Sequence, residues 1–224
     1  MNKREQLRKM LHTTKLVLFD LDGTLVDSND HHADAWAKVL NKHGHPFSAK
    51  TLRPWIGKGG DKILTELVGI DDQSAEGKAI TKARSELFLE SYAAQITAFP
   101  DAGNLLIALR KKGFQVALAS SAALEELKSV LSFANLEGSV PDFTTADDAE
   151  HSKPAPDIIQ AALRKARMDP GSAVMVGDTP YDLTASAAAG VRSIAVRSGG
   201  WNDDSLKAAD LIFDDVHDIL NSLP

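Results

Sequence analysis

Six short apolar runs recur along the 224-residue chain and constrain its fold more than any other feature. Each run is continuous rather than alternating, which is typical of strands buried on both faces. Helical patterns separate most of the runs, and this alternation predicts right-handed βαβ units and a parallel sheet. The predicted strands span 15–19, 114–120, 142–146 (the weakest), 173–177, 193–196 and 211–213, and the predicted helices among them span 102–113, 124–136, 156–168 and 181–190.

One stretch breaks this alternation between the first and second strands. From about Ser28 to Thr97 the sequence holds helical patterns, at 31–44, 60–69 and 74–96, and no convincing strand. About 70 residues are far more than a crossover between neighbouring strands needs. We therefore expect an α/β protein with a parallel-sheet core, residues 1–27 and 98–224, and an inserted all-helical domain, residues 28–97.

The composition argues against several classes of function. A net charge of −6 disfavours a nucleic-acid surface, which needs a basic patch. The absence of cysteine excludes disulfides, thiolate nucleophiles and cysteine-type zinc sites. No apolar run approaches the ~20 residues that span a bilayer, and the polar, basic N-terminal stretch is unlike a secretory signal. We expect a cytoplasmic protein with neither a nucleic-acid nor a membrane partner.

Polar residues follow the predicted strands at their carboxyl ends, where parallel α/β sheets bind ligands. They are carboxylates and donors that suit an oxyanion: Asp20 and Asp22 after the first strand, Ser120 and Ser121 after the second, Lys153 before helix 156–168, and Asp178 and Asp182 after 173–177. Alone, each has an ordinary structural explanation, such as a hairpin turn at Asp22 or a helix cap at Ser120. Their joint occurrence in one order favours a site.

Phosphoryl transfer needs this combination of groups. A carboxylate such as Asp20 attacks phosphorus to form an aspartyl-phosphate, but at ~4 Å and an effective dielectric of ~20 each pair of like unit charges costs ~4 kcal/mol. A hard divalent cation on oxygen ligands offsets this repulsion. Lys153 neutralises further charge, and Ser120 donates to a phosphoryl oxygen. Asp22 protonates the leaving alcohol and later activates water, and we expect neighbouring anions to raise its pKa.

The segments DLDGTLVD, ALASS, SKPAPD and GDTPYD resemble the four ordered motifs of the haloacid dehalogenase superfamily of phosphotransferases, over nearly the whole chain. This resemblance implies a Rossmann-like core, with the inserted helices forming a cap domain, and Mg²⁺ as the cofactor. Position by position, it implies Asp20 as nucleophile and metal ligand, Asp22 as acid/base whose carbonyl also binds the metal, and Asp178 as the remaining protein ligand. It implies that Asp182 acts on the metal through water or through another ligand, and that Ser120, Lys153 and the Ser121 N–H bind the phosphate.

Differences within the superfamily narrow the expected activity. Dehalogenases lack the second Asp of the first motif, and phosphonoacetaldehyde hydrolases usually have a small residue there, so Asp22 argues against both. The cap loop LRPWIGKGGDK, 52–62, resembles that of phosphoglycolate phosphatase-like and sugar-phosphatase members. Arg53, Trp55 and Lys58 are therefore candidates for contacting the leaving group, with packing inside the cap as the alternative for Trp55. We expect His31 and His32 on the surface of a helix.

We therefore expect a Mg²⁺-dependent phosphatase, monomeric or homodimeric, that acts on a small phosphorylated metabolite of the phosphoglycolate or sugar-phosphate type. A phosphosugar mutase of the β-phosphoglucomutase type shares every core motif and remains the alternative; it needs a bisphosphate activator and releases no phosphate. A receiver-like module, which binds phosphate without catalysis, also clusters Asp, a hydroxyl residue and Lys around Mg²⁺. Such modules are shorter than this chain and have no cap, so this third hypothesis ranks last.

Overall fold

The computed structural model describes residues 2–140 and 142–224. The strands are β1 (Leu16–Phe19), β2 (Val26–Asp27), β3 (Thr97–Ala98), β4 (Gln115–Ala119), β5 (Asp142–Thr144), β6 (Ala173–Gly177), β7 (Arg192–Val196) and β8 (Leu211–Phe213). The α-helices are α1 (Lys3–His12), α2 (Asn29–Lys42), α3 (Ala49–Leu52), α4 (Gly60–Lys62), α5 (Ala75–Ser91), α6 (Ala102–Lys111), α7 (Leu124–Phe133), α8 (Asp157–Ala166), α9 (Pro180–Ala188), α10 (Asp203–Leu206) and α11 (Val216–Ser222). Short 3₁₀ turns span 53–55, 93–95, 137–139, 146–148, 170–172 and 197–199.

Six strands form one parallel sheet in the order β5-β4-β1-β6-β7-β8. The central strand β1 pairs with β4 on one side and with β6 on the other, in register from Leu16 to Phe19. Its side chains supply two separate apolar clusters: Val17 and Phe19 pack into one, and Leu16 and Leu18 into the other. Burial on both faces explains why the strand sequences are continuous apolar runs. The predicted α/β fold with a parallel sheet is confirmed.

Between β2 and β3 the chain forms the helices α2, α3, α4 and α5, joined by turns and irregular segments. The two short strands pair antiparallel, Val26 with Ala98 and Asp27 with Thr97. The helices between them bury a third apolar cluster, which includes Trp36, Leu52 and Ile80. The predicted boundaries of the inserted domain fall next to the β2–β3 pair, and the division into two domains remains a proposal. We call residues 28–97 the helical segment and the rest of the chain the core.

Several elements differ from the sequence predictions. The predicted helix 60–69 begins as the single turn α4, continues as a π-helical turn over Ile63–Val68, and ends at Gly69 with φ of +81°. The short helices α3, α10 and α11 and the N-terminal helix α1 had no predicted counterpart. Helix α1 buries Leu7, Met10 and Leu11 in the same apolar cluster as Val17. Among the described residues, no helix is long and apolar enough to cross a bilayer.

Candidate active site

The parallel topology brings the four motifs together at the carboxyl edge of the sheet. Asp20 follows β1, Ser120 follows β4 and Asp178 follows β6, and these three strands are neighbours. The backbone N–H of Asp20 donates to the Val176 carbonyl of β6 at 2.9 Å, which extends the sheet pairing by one residue into the site. The side chains of Asp20, Ser120 and Asp178 are all buried.

A buried lysine lies among the carboxylates. Lys153 is 1% exposed, and its Nζ lies 2.7 Å from Asp20 Oδ1 and 2.7 Å from Asp182 Oδ1. Burial lowers the pKa of Lys153, but the carboxylates of Asp182 and Asp20 raise it more, and the net pKa lies above its ordinary value. The lysine is therefore charged and links the third motif to the first and the fourth.

Three carboxylates converge beside this lysine. One oxygen from each of Asp20, Asp178 and Asp182 lies within 4.8 Å of the others. Burial raises the pKa of Asp20 to about 7, and the carboxylates of Asp182 and Asp22 add to the rise although Lys153 opposes it. Burial, followed by Asp182 and Asp20, also raises the pKa of Asp178. The single ammonium of Lys153 does not offset the negative charge of these three carboxylates. Oxygen ligands that carry excess negative charge suit a hard divalent cation.

Neighbouring donors fix the orientation of these carboxylates. Asp178 accepts hydrogen bonds from Thr24 Oγ1 and Asn29 Nδ2, both at 3.1 Å. Asp182 Oδ2 accepts from the N–H of Thr179 at 3.1 Å and from its hydroxyl at 2.7 Å, which caps helix α9. Asp182 thus has a structural role at the start of α9 as well as its ion pair with Lys153.

The two serines after β4 differ in their hydrogen bonding. Ser120 Oγ accepts from the Ala122 N–H at 3.1 Å, so it closes a turn instead of capping α7, which begins after Ala123. Ser121 Oγ is buried without a hydrogen-bond partner among the described residues. A buried hydroxyl in this state costs free energy unless a ligand satisfies it. The sequence pointed only to the backbone N–H of Ser121, whereas its side chain is also free to donate.

Asp22 lies beside a histidine that the sequence placed on the surface. His32 is 5% exposed, and its Nε2 lies 2.9 Å from Asp22 Oδ1, an oxygen that also accepts from Ser28 Oγ. Burial raises the pKa of Asp22, but the His32 imidazole and the hydrogen bonds from His32 and Ser28 lower it more, so that the net pKa lies below its ordinary value. The prediction of a raised pKa was wrong, and so was the surface position of His32. The neighbouring His31 is half-buried, edge-on to Tyr92.

The site opens into a cavity of about 960 Å³ between the core and the helical segment. Asp20, Asp22, Ser120 and Ser121 line its core side. Of the three residues predicted to contact the leaving group, Lys58 lines the cavity, where it forms a 2.7 Å ion pair with Glu66 and lies 4.2 Å from the centre of the Trp55 ring.

Arg53 and Trp55 have other contacts. The Arg53 guanidinium donates to Asp30 and to the Gly199 carbonyl, each at 2.7 Å, so it ties the helical segment to the core. Trp55 packs against the apolar cluster of the helical segment, as its alternative interpretation predicted. A role for any of the three in specificity stays a prediction. His151, whose role the sequence left open, is exposed and pairs with Asp157.

Comparison with known proteins assigns the chain to a family. A model of haloacid dehalogenase-like hydrolases matches residues 17–196. Phosphoglycolate phosphatase 1 of Pseudomonas aeruginosa is 30% identical, over 92% of this chain and 78% of its own. The crystal structure of a hydrolase from Pseudomonas syringae superposes with a TM-score of 0.85 at 28% identity, covering 93% of this chain and 96% of its own. A candidate β-phosphoglucomutase from Bacteroides vulgatus gives a TM-score of 0.82 at 28% identity, covering 97% and 93%. The chain therefore belongs to the haloacid dehalogenase-like hydrolase family, which confirms the resemblance of its four motifs and its assignment as a phosphoric monoester hydrolase.

Proposed function

We propose that this chain is a Mg²⁺-dependent phosphatase that hydrolyses a small phosphorylated metabolite, of the phosphoglycolate or sugar-phosphate type, through an aspartyl-phosphate on Asp20. The observation that carries the proposal is the convergence of Asp20, Lys153 and three further carboxylates at one edge of the sheet, where Asp20 and Asp22 line a cavity. The similarity to a phosphoglycolate phosphatase supports the substrate class.

The metal fits the donors that are present. The carboxylates of Asp20 and Asp178 and the backbone carbonyl of Asp22 would hold Mg²⁺, with Asp182 close enough to bind it directly or through water. When bound, the ion would offset the negative charge between these carboxylates and the phosphoryl group. The phosphoryl oxygens would also accept hydrogen bonds from Ser120 and from the unpartnered hydroxyl of Ser121.

The reaction follows from the positions of two carboxylates. Lys153 holds Oδ1 of Asp20, which leaves Oδ2 to attack phosphorus. As this P–O bond forms, the bond to the leaving oxygen breaks, and that oxygen takes a proton from Asp22. Water then attacks the phosphoryl group, returns a proton to Asp22, and breaks the bond to Asp20. The negative charge of the incoming phosphoryl group raises the pKa of Asp22 and so favours its protonated form.

Phosphate release tests this function. The purified chain with Mg²⁺ is incubated with phosphoglycolate, hexose and pentose phosphates, glycerol phosphate, pyrophosphate and nucleotides, beside the variant Asp20→Asn and the exposed control Asp169→Asn. We expect release from at least one ester by the wild type and by Asp169→Asn, and none by Asp20→Asn. Release that persists in Asp20→Asn would contradict the nucleophile.

A phosphosugar mutase is the second candidate, favoured by the structural similarity to the candidate β-phosphoglucomutase from Bacteroides vulgatus. It would interconvert sugar-phosphate isomers in the presence of a bisphosphate and release little phosphate. If the phosphate assay is negative for every ester, isomer conversion monitored by ³¹P NMR with a hexose bisphosphate decides between the mutase and an inactive chain.

A further inference from the structure

A largely buried chain of polar side chains runs from the site into the helical segment and back to the core. Its four members are Asp22, His32, Arg84 and Glu126. Beyond Asp22 and His32, the guanidinium of Arg84 on α5 lies against Nδ1 of His32. Arg84 also donates to Glu126 Oε2 on α7 at 2.5 Å. The Arg84 side chain is 11% exposed and that of Glu126 is 5% exposed. No sequence motif pointed to either residue.

The contact with Arg84 determines where the proton of His32 lies. A guanidinium only donates hydrogen bonds, so Nδ1 of His32 must accept one and carries no proton. The ring proton is therefore on Nε2, 2.9 Å from Asp22 Oδ1. This oxygen accepts from both His32 and Ser28, which leaves Oδ2 as the atom that can hold the proton exchanged with the substrate.

Aromatic rings pack against the His32 imidazole and the Arg84 guanidinium and restrict their movement. The His32 ring stacks on Phe88, with centroids 4.1 Å apart and planes 9° apart. The Arg84 guanidinium lies 5.0 Å from the Phe88 centroid and 5.5 Å from that of Trp36. Such packing leaves His32 little freedom to rotate away from Asp22.

Glu126 supplies the negative charge that holds Arg84 in place. Burial raises the pKa of Glu126, but the charge of Arg84 and the hydrogen bonds that Glu126 accepts lower it more, so the net pKa lies below its ordinary value and the carboxylate is charged. This ion pair joins the helical segment to the core. A buried guanidinium that lost its carboxylate would be left without an anionic partner, which is strongly unfavourable.

We propose that Arg84 and Glu126 are positioning residues: across the boundary between core and helical segment, they hold His32 with its proton on Nε2 against Asp22, so that Asp22 can protonate the leaving group. This inference rests on the proposed function of Asp22. It also predicts that the general acid is fully oriented only while the helical segment lies on the core, because Arg84 and Glu126 belong to different sides of that contact.

Substrates with different leaving groups test the proposal. Glu126→Gln keeps the shape of the side chain and removes its charge. For an alkyl phosphate, whose leaving oxygen needs a proton, we expect kcat/KM to fall by about 10- to 100-fold, mainly through kcat. For p-nitrophenyl phosphate, whose phenolate leaves without a proton, we expect a fall of less than about threefold. Arg84→Met is expected to behave likewise, and Arg84→Lys to recover part of the alkyl phosphate rate.

Tyr181→Phe is the matched control. It deletes another hydrogen bond between core and helical segment, from the Tyr181 hydroxyl to the Pro54 carbonyl at 2.6 Å, which does not reach Asp22. Any loss it causes should be the same factor for both leaving groups. Equal losses for both leaving groups in Glu126→Gln would reduce the Arg84–Glu126 pair to a structural role and overturn the proposal.

A second measurement needs no turnover and separates this inference from the proposed function. Long-range ¹H–¹⁵N NMR of the imidazoles should show Nδ1 of His32 without a proton in the wild type, because it accepts from Arg84, and a fraction of molecules with a proton on Nδ1 in Glu126→Gln. A proton on Nδ1 of His32 in the wild type would refute the positioning role even if phosphatase activity were found. The expected tautomer in a chain that releases no phosphate would leave the network intact and refute the proposed function alone.

Discussion

Lys153 shows how a single residue joins the motifs of the site. Its stem and ammonium are buried. Of its two ion-pair partners, Asp20 follows the carboxyl end of β1 and Asp182 lies at the start of α9. A buried ion pair contributes little net stability, because desolvation of the charges offsets their attraction. Removing one partner is different, because the remaining charges stay buried without compensation.

Lys153→Met is therefore expected to lower the free energy of unfolding by about 3–5 kcal/mol. Urea denaturation without metal measures it. The matched control is Lys165→Met: Lys165 Nζ also lies 2.7 Å from a carboxylate oxygen, Asp148 Oδ2, but its side chain is 51% exposed. An exposed pair of this kind contributes about 0–1 kcal/mol. Similar losses in the two variants would contradict the buried charges inferred around Lys153.

Individual site residues were predictable to different degrees. Asp20, Ser120 and Asp178 each follow a strand directly, and a parallel sheet brings such positions together whatever the rest of the chain does. His32 carries a local signal in the sequence, since it lies in the first turn of α2, four residues after Ser28, which immediately precedes that helix. Arg84 and Glu126 carried none, because they meet only through the packing of α5 on α7. The pKa of Asp22 was predicted in the wrong direction because the sequence shows its neighbouring anions and not the imidazole.

The loop between the 3₁₀ turn at 53–55 and helix α4 is the element that fits the helical segment onto the core. Gly57 has φ of +102°, and a Cβ there would lie 2.6 Å from Thr179 Cγ2. Gly44 has a similar φ of +86°, and a Cβ there would meet nothing within 4 Å. The two glycines share the same backbone requirement and differ in whether they lie against the core.

Gly57→Ala and Gly44→Ala therefore separate backbone strain from the fit of this loop. Both should lower stability by about 1–2 kcal/mol, because an L-residue is disfavoured at positive φ. Only Gly57→Ala should also lower kcat/KM, by at least about tenfold, because a displaced loop no longer closes the cavity over the substrate. Thermal unfolding and steady-state kinetics on the same preparations measure the two effects. A loss of activity in Gly44→Ala as large as that in Gly57→Ala would count against a role for the fit.

Among the elements, the sequence predicted the strands that are buried on both faces of the sheet. It did not predict the short pair β2–β3 or the N-terminal helix. The continuous apolar runs of β1, β4 and β6 follow from helices packed on both sides of the sheet. The pair β2–β3 is too short for any periodicity, with two residues in each strand. The N-terminal stretch is polar and basic overall, yet as helix α1 it places Leu7 and Leu11 in the core.

The whole molecule carries a net charge of −6, and part of that charge is buried at the carboxyl edge of the sheet. Asp20, Asp178 and Asp182 oppose one lysine there, and burial raises the pKa of Asp20 and of Asp178. Without a cation the fold keeps these carboxylates close together at a cost in stability. A ligand that binds only the folded state stabilises it by mass action.

Mg²⁺ is therefore expected to raise the thermal unfolding temperature of the whole chain. At a concentration about 100-fold above Kd the gain is about 2.7 kcal/mol, which for a chain of this size corresponds to about 5–10 °C. Differential scanning calorimetry in EDTA and in Mg²⁺ measures the shift. Glu137→Gln, which removes one negative charge from an exposed 3₁₀ turn, is the control and should keep the full shift.

Asp178→Asn gives the decisive comparison, because its two expected effects have opposite signs. In EDTA the variant should unfold at the same temperature as the wild type or higher, because a buried like charge is gone. The new amide finds a partner, since Asn29 Oδ1 has none among the described residues and accepts a hydrogen bond once the Asn29 amide flips. In Mg²⁺ the shift should be mostly lost, because a carboxylate ligand is missing. A variant that is less stable in EDTA yet keeps the wild-type shift would show that the cluster holds no ion, and that the charge of Asp178 serves the fold alone.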